Sequence, residues 1–217
     1  MLNLDEKLDG VGDFWVGLPL PILPIPATNG KQITLASSVG YPIHNPVVVY
    51  CYPQMIMNDS SSNNLSLVPE AHRSMQQSCA FKDRFEEFKK LGITVYGLST
   101  EDTEYQEEIV KKLGLPFALL SDSDFELSDI LGLPKFQVNG KFFLKHLTFV
   151  VENSEVVKIF YPVTVPEKNA EDVLAWFENR DWPSEVEKRK RDMEVELSTD
   201  FVDKLQQTTE SYLSTKV

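Results

Sequence analysis

Short apolar runs alternate with amphipathic segments through the middle of the chain. The run from Pro46 to Tyr52 is almost entirely β-branched or aromatic, which predicts a central strand buried on both faces. Ile93–Leu98 predicts a second buried strand. Between these two strands, apolar residues at helical spacing predict a helix from about Met75 to Leu91, ended by Gly92. We interpret the stripe that this helix carries as core: Phe81, Phe85 and Phe88.

The same alternation continues to residue 177. Ser99–Asp102 has the polar composition of a helix start, and Gly114 ends the predicted helix after Leu113. The two final strands are joined by Glu152–Glu155 and are predicted to pair as a hairpin. The other elements predicted in this half are a short apolar strand at Phe117–Leu120, a short helix at Asp124–Leu131 before Gly132, strands at Leu147–Val151 and Val156–Phe160, and an amphipathic helix at Ala170–Phe177.

The two ends of the chain differ from this central part. Residues 1–13 are polar and are predicted to form an arm, and residues 14–30 contain four prolines, which favours an extended, edge-like segment. Asn29-Gly30 predicts a hairpin turn, with Lys31–Leu35 as the returning strand. Residues 181–217 form a charged extension, in which an apolar helix face is predicted from Phe201, Leu205, Thr208 and Tyr212. We therefore predict a domain over residues 14–180 with two appendages.

Strands that alternate with helices, followed by a hairpin and a helix, indicate an α/β fold with a mixed sheet. The order of elements matches a thioredoxin-like domain, with a central mixed β-sheet flanked by helices. Periodicity alone leaves a flavodoxin-like domain open as the alternative.

Charge and composition exclude several classes of function. The net charge of −12 argues against nucleic acid and anionic membranes as partners, because polyanion binders are basic. The apolar runs are too short to cross a bilayer, and the acidic N-terminus does not resemble a secretory signal. A cytoplasmic location is the resulting expectation, and we interpret the basic run at Lys188–Arg191 as a solvated helix face. Two cysteines and three histidines are too few for a disulfide scaffold or a Cys/His zinc site, and no cofactor is predicted.

Seven segments in the part of the chain from Val48 to Phe177 together carry a family resemblance. They are Val49–Pro53 (VYCYP), Cys79–Phe85 (CAFKDRF), Val95–Ser99 (VYGLS), Leu115–Asp122 (LPFALLSD), Leu147–Val150 (LTFV), Tyr161–Val163 (YPV) and Ala170–Leu174 (AEDVL). Through these segments the sequence resembles the peroxiredoxins, in particular the bacterioferritin-comigratory-protein (PrxQ-like) branch of the alkyl hydroperoxide reductase/thiol-specific antioxidant (AhpC/TSA) superfamily. The resemblance implies a thioredoxin fold and, for the family, antioxidant reduction of hydroperoxides with electrons from a thioredoxin-type reductant.

The resemblance assigns a role to each position of the family's active site. A peroxiredoxin attacks the O–O bond with a peroxidatic cysteine at a helix N-terminus, and the sulfenic acid then condenses with a resolving thiol. In this branch the resolving cysteine follows five residues later, so Cys79 holds the resolving position and Ser74 holds the peroxidatic one. His146 stands where the family has its active-site arginine, and Pro53 matches the family.

These departures predict the loss of peroxidase activity. A serine hydroxyl is essentially un-ionised near neutral pH and cannot replace the thiolate nucleophile. The neighbouring positions have changed as well, to Ala71, Arg73 and Met75. We therefore predict a homologue without peroxidase activity, which binds or regulates an unidentified protein partner. A homodimer of this chain is also open. Two alternatives stay open, namely a thiol oxidoreductase that uses Cys79, and an active peroxiredoxin in which Ser74 is an engineered replacement of cysteine.

Simpler structural roles compete with several functional interpretations. Packing is the favoured role of Cys79 and Cys51, although a disulfide between them stays open. His72 could suggest a Ser/His hydrolase with Ser74, but no nucleophile elbow surrounds that serine, and we expect a solvated loop histidine. We also place His44 in a loop. A helix cap explains the acidic pair Asp122 and Asp124 better than a cation site does.

Overall fold

Strands and helices alternate along the residues that the computed structural model describes, which are 15–36, 45–56 and 71–180. The strands are β1 (Ile25–Pro26), β2 (Gln32–Ile33), β3 (Val47–Cys51), β4 (Thr94–Ser99), β5 (Leu119–Ser121), β6 (Lys135–Val138), β7 (Lys141–Leu144), β8 (Leu147–Glu152) and β9 (Glu155–Phe160). The helices are α1 (Ala71–Asp83), α2 (Phe85–Lys90), α3 (Thr103–Leu113), α4 (Glu126–Ile130), a 3-10 turn (Pro166–Lys168) and α5 (Asn169–Glu178).

The central sheet has five strands in the order β5-β4-β3-β8-β9. Strands β3, β4 and β5 are parallel, whereas β8 is antiparallel to both β3 and β9. Strands β4 and β5 therefore lie on one side of β3, and strands β8 and β9 lie on the other side. This mixed sheet with flanking helices confirms the predicted thioredoxin-like α/β fold and excludes the flavodoxin-like alternative, whose sheet would be parallel.

Strand β3 separates two hydrophobic clusters because its residues alternate between the faces of the sheet. Val47, Val49 and Cys51 pack on one face, and Val48 and Tyr50 pack on the other. All five are buried, as the unbroken apolar run predicts. Four helices contribute to the second cluster: α1 through Phe81, α2 through Phe88, α3 through Ile109 and α5 through Val173.

Gly97 of β4 makes room for the side chain of Tyr50. A Cβ atom at residue 97 would lie 2.7 Å from the hydroxyl of Tyr50 and 2.6 Å from Cδ2 of Leu119. The tyrosine can therefore extend across its neighbour strand and donate a hydrogen bond to Oγ of Ser78 on α1, at 3.0 Å. This bond joins α1 to the strand on which the candidate site is built.

After a turn at residues 15–17, residues 18–27 follow an extended path, as the prolines predict, and the segment reaches both edges of the sheet. Pro19 bridges to Glu155 at the β9 edge, and Ala27 bridges to Leu120 at the β5 edge. Between these contacts, Leu20 and Ile25 are buried in the first cluster. We call residues 17–28 the N-terminal strap. It continues into the predicted hairpin, in which β1 and β2 are antiparallel around a turn that contains Gly30.

Two elements differ from the sequence-based expectations. The helix predicted from Met75 to Leu91 is wrong in its limits, because the chain is already helical at Ala71 and the helix is interrupted at Arg84, which divides it into α1 and α2. The hairpin of β6 and β7 was not predicted, although Asn139-Gly140 connects its strands and both residues have positive φ angles.

The elements predicted elsewhere agree with the structure to within a few residues. Helix α3 begins after Asp102, whose carboxylate accepts a hydrogen bond from the backbone of Tyr105, and ends at Gly114 with φ of 60°. No helix among the described residues combines the length and the apolar character needed to cross a bilayer. Several predictions concern residues outside the described ranges: the arm 1–13, His44 and the extension 181–217.

Candidate active site

The candidate site lies where the order of the sheet changes direction, between β3 and β8. Cys51 pairs with Leu147, so Tyr52 and Pro53 leave the end of β3 beside His146, which directly precedes β8. A crevice at the carboxyl end of a parallel strand next to such a change of direction is where α/β proteins usually bind ligands. Pro53 and His146 are both buried there.

Helix α1 turns a buried polar face toward His146. Ser74, Gln77 and Ser78 are each 0% exposed, and Ala71 and Phe81 extend the same buried face. The spacing of three and four residues places these side chains on one side of the helix. Ser74, the position predicted to be peroxidatic, is thus fully enclosed, one helical turn before Gln77.

A network of buried hydrogen bonds connects His146 to this helix face. Nδ1 of His146 lies 2.9 Å from Oε1 of Gln77. The amide of Gln77 donates to Oδ1 of Asn169 at 2.9 Å, and that oxygen also accepts the hydroxyl of Thr148 at 2.5 Å. Because Oε1 can only accept a hydrogen bond, Nδ1 of His146 is the donor and carries a proton. The network therefore fixes the ring's orientation toward α1.

Sequence reasoning found His146 and missed its partners. Gln77 follows Ser74 by three residues, and that helical spacing was a usable signal. Asn169 is 92 residues from Gln77 along the chain, and Thr148 lies on a strand that was predicted only as core. Contacts over such separations depend on the packing of α5 against α1, which no local pattern contains.

Cys79 is half-buried on another side of α1. Five residues advance an α-helix by about 500°, so positions 74 and 79 point about 140° apart. Burial, together with the charge of Asp83, raises the pKa of the Cys79 thiol, and Lys82 opposes this effect only in part. The helix therefore holds Cys79 in its less reactive thiol form and away from the face that carries Ser74.

Cys51 is fully buried in β3, and burial holds its pKa well above the ordinary value. Its side chain lies in the cluster on the opposite face of the sheet from α1. Both cysteines are free, so the disulfide left open by the sequence is absent between these two described residues. The packing interpretation of Cys51 is confirmed.

A second polar cluster anchors the segment that leaves β3. The backbone N–H of Met55 donates to Oε1 of Glu101 at 3.2 Å, and the Met55 carbonyl accepts the hydroxyl of Tyr105 at 3.0 Å. The Met55 sulfur accepts a hydrogen bond from Oγ of Ser78 at 3.3 Å. Burial raises the pKa of Glu101 to about 8, although hydrogen bonds from Met55, Ser99 and Tyr52 act in the opposite direction. This carboxyl was not predicted as part of the site.

The remaining candidates have structural roles or lie at the surface. His72 lies on α1, so the expected position in a loop is wrong, whereas its side chain is exposed to solvent, as predicted. The guanidinium of Arg73 donates to the carbonyl oxygen of Thr164. The carboxylate of Asp122 accepts hydrogen bonds from the backbone of Leu127 and Ser128, which confirms its predicted capping role at α4.

Comparisons with known proteins show which family the chain belongs to. The sequence model of the AhpC/TSA family matches residues 67–159. The chloroplastic peroxiredoxin Q of Sedum lineare is 32% identical over 146 residues, which cover 67% of this chain and 68% of that protein. The chain belongs to the PrxQ-like peroxiredoxins. The chloroplastic peroxiredoxin Q of Suaeda salsa is 28% identical over 160 residues, and the chain spans 65% of that relative's length.

Solved structures support the family's fold. The bacterioferritin comigratory protein of Xanthomonas campestris aligns with a TM-score of 0.57 and 24% identity, over 75% of this PrxQ-like chain and 97% of that one. A mutant of Xylella fastidiosa PrxQ aligns with a TM-score of 0.59 and 20% identity, over 75% and 94% of the two chains. At these identities the likeness concerns the fold alone.

Proposed function

We propose that this PrxQ-like protein has no peroxidase activity and acts as a binding or regulatory module. The observation that carries the proposal is the fully buried serine at position 74. Peroxide reduction by this family needs a thiolate that becomes a sulfenic acid, and a serine hydroxyl has neither the ionisation nor the oxidation chemistry for that step. The atom that would attack the O–O bond is therefore lacking.

The surroundings of Ser74 support the same proposal. His146 takes the position of the arginine that the family uses beside its thiolate, and its Nδ1 is engaged with Gln77. Cys79, the other thiol on α1, has a raised pKa. Among the described side chains, neither His146 nor Cys79 replaces the missing nucleophile.

Peroxide consumption by the full-length protein tests the proposal directly. The protein is mixed with a small excess of hydrogen peroxide, with and without a thioredoxin system, and free thiols and intact mass are followed together. We expect consumption at the background rate of an ordinary protein thiol, with no change in Cys79→Ser. Thioredoxin-dependent turnover that disappears in Cys79→Ser would replace the proposal with the thiol oxidoreductase alternative.

A gain-of-function experiment tests the roles assigned to positions 74 and 146. Ser74→Cys combined with His146→Arg is expected to raise peroxide consumption measurably above background, because it restores a nucleophile and a fixed positive charge. Ser78→Cys with His146→Arg is the matched control, since Ser78 is equally buried on the same face of α1 one turn later. Equal rates in two folded variants would refute the assignment of position 74.

The other elements of the proposal concern partners and location. For the binding role, the partner is an unidentified protein. Membership of the family also favours two further partners, namely a thioredoxin-type reductant and a second copy of this chain in a homodimer. A cytoplasmic location also stays a prediction, and the two plant relatives named above are chloroplastic. Fractionation of cells that express the tagged full-length chain would test the location.

A further inference from the structure

A cavity of about 380 Å³ opens between the end of β9 and the start of α5. Small-molecule sites in proteins commonly have volumes of about 300–1,000 Å³. One side of the cavity is apolar and the other is polar: Phe160, Val163 and Val165 line it where the chain leaves β9, and Lys168, Asn169 and Asp172 line it around the start of α5. We call the first three residues the apolar wall. The cavity thus has the size and the mixed lining of a site for a small organic molecule.

Asn169 is enclosed at this cavity with half of its amide unused. The residue is 1% exposed, and its Oδ1 accepts hydrogen bonds from Gln77 and Thr148. Its Nδ2 donates to none of the residues that the structure describes. An enclosed amide donor without an acceptor costs free energy, which a ligand recovers if it brings an acceptor oxygen. The polar side of the cavity therefore favours a ligand with a carbonyl or carboxylate group.

Two opposite charges stand beside Asn169 at the same cavity. Lys168 and Asp172 are exposed and are four residues apart, a spacing at which helical side chains are neighbours. Within the described part of the chain, neither of them forms an ion pair. A purely anionic ligand would meet the like charge of Asp172, and a purely cationic one would meet that of Lys168. A ligand that carries one charge of each sign complements both.

We propose that this cavity binds a free α-amino acid with an apolar side chain. The carboxylate of the ligand accepts hydrogen bonds from Nδ2 of Asn169 and from the ammonium group of Lys168. Its own ammonium group pairs with Asp172. Its side chain packs against the apolar wall, which removes apolar surface from water. Each feature of an apolar amino acid thus has a counterpart in the cavity.

The cavity is connected with the candidate active site. Asn169 belongs both to the cavity and to the hydrogen-bond network that holds Nδ1 of His146 through Gln77. The backbone N–H of Val163, in the apolar wall, also donates to the carbonyl oxygen of His146 at 3.3 Å. Occupation of the cavity is therefore expected to change the surroundings of the His146 ring.

This inference goes beyond the proposed function and does not depend on it. Among the described residues that line the cavity, neither Ser74 nor Cys79 is present. Binding and peroxide consumption are separate measurements, so each result bears on one proposal alone.

Titration of the full-length protein with L-leucine tests the proposal. Calorimetry measures the affinity, and NMR of the isotope-labelled protein locates the site. We expect saturable binding with a Kd of about 0.1–1 mM, as for a small ligand held by a few polar contacts. The signals of residues 159–172 and of the His146 ring should shift. The signals of α3, which does not line the cavity, provide the control.

Three analogues that each lack one feature of leucine test the recognition. N-acetyl-L-leucine lacks the ammonium charge, L-leucinamide lacks the carboxylate, and glycine lacks the apolar side chain. We expect each to bind about ten-fold more weakly than L-leucine or worse, because each loses one of the three interactions. Equal affinity for L-leucine and N-acetyl-L-leucine would contradict the role of Asp172.

A pair of charge-removing variants tests the same role in the protein. Asp172→Asn is expected to weaken the binding of L-leucine about ten-fold and to leave that of N-acetyl-L-leucine unweakened. Glu167→Gln is the matched control, because it removes an exposed carboxylate just before α5 that does not line the cavity. It should bind L-leucine like the wild type. Thermal unfolding verifies that both variants are folded.

Three results would overturn the proposal. The first is the absence of saturable binding up to about 10 mM L-leucine, which is ten times the weakest expected Kd. The second is a set of shifted signals that maps to another part of the molecule. The third is an affinity for L-leucine that is equal in the wild type and in folded Asp172→Asn.

Discussion

The Glu101 carboxyl is subject to two opposing influences. It accepts hydrogen bonds from Met55 and Ser99, which favour the ionised form, while burial favours the neutral form and raises its pKa to about 8. Burial has the larger effect, so at pH 7 most molecules hold a neutral carboxyl behind the segment that leaves β3. The site is thus anchored by a group whose charge depends on pH.

Glu101 is expected to make the folded state less stable as the pH rises from about 4.5 to about 8. Over this range the unfolded chain has already released the proton that the folded protein retains, so unfolding becomes more favourable by up to about 1.4 kcal/mol per pH unit. Glu101→Gln should flatten this slope. Denaturant unfolding of both proteins at several pH values between 5 and 8 measures it.

The exposed glutamate of the neighbouring helix provides the control. Glu108→Gln on α3 removes the same charge from a solvated position and should leave the slope unchanged. Part of the slope should persist in Glu101→Gln, because burial also raises the pKa of Asp122. Identical slopes for the wild type and Glu101→Gln would contradict the assignment of Glu101.

Single residues also show what the sequence could reveal about the site. Ser74 and His146 could be identified because each occupies a recognisable position in a family motif next to a predicted element. The helix start predicted at Ser99–Asp102 is confirmed, with Asp102 as the capping residue, because capping is a local interaction. The burial of Glu101, one residue earlier, depends on a contact with Met55 at a separation of 46 residues. No short-range pattern encodes that contact.

The junction between β8 and α5 is held by an ion pair that is almost completely buried. The guanidinium of Arg180 donates to both carboxylate oxygens of Glu152, at 2.6 and 3.1 Å, and the two side chains are 9% and 6% exposed. Arg180 also lies over the ring of Trp176, 4.6 Å from its centroid. The pair therefore joins the chain just after α5 to the last residue of β8.

Arg180→Ala is expected to destabilise the protein by about 3–5 kcal/mol, because it removes a nearly buried cation and both of its hydrogen bonds to the Glu152 carboxylate. Lys111→Ala, which removes the exposed partner of Glu107 on α3, should cost less than about 1 kcal/mol. Urea unfolding at pH 7 compares the two variants. A loss for Arg180→Ala as small as that for Lys111→Ala would mean that the ion pair contributes little.

Elements were predictable where their signals are local. Asn139-Gly140 between two apolar-rich runs is a strong hairpin signal, so β6 and β7 could have been found from the sequence. The division between α1 and α2 is different, because Asp83-Arg84-Phe85 contains neither proline nor glycine. The interruption at Arg84 accompanies the burial of both Phe81 and Phe88 beneath separate helices. Tertiary packing rather than local preference sets that boundary.

At the scale of the whole molecule, the N-terminal strap protects both edges of the sheet. Backbone hydrogen bonds join Gly17, Leu18 and Leu20 to Ser154 and Val156 at the β9 edge. Thr28 donates to Leu119 at the β5 edge. Unpaired edge strands are templates for intermolecular pairing, so a strap that pairs with both edges lowers the tendency to aggregate.

Leu20→Ala is expected to loosen the strap, because Leu20 is fully buried beneath the sheet. We expect a loss of about 2–5 kcal/mol in the free energy of unfolding and faster aggregation on warming. Ile22→Ala, in the same segment but 48% exposed, is the control and should behave like the wild type. Light scattering during a thermal ramp measures aggregation, and equal onset temperatures for the two variants would refute the protective role.

The strap also constrains the order of events during synthesis. Residues 17–28 leave the ribosome before the rest of the fold, yet the edges that they pair with are at residues 119–120 and 154–156. More than ninety residues must therefore be translated before the first of these contacts can form, and more than 120 before the second. Contacts that close such long loops form slowly. The strap is thus synthesised before the sheet that it pairs with, and the nascent sheet exposes its β5 edge until Leu120 has been added and its β9 edge until Val156 has been added.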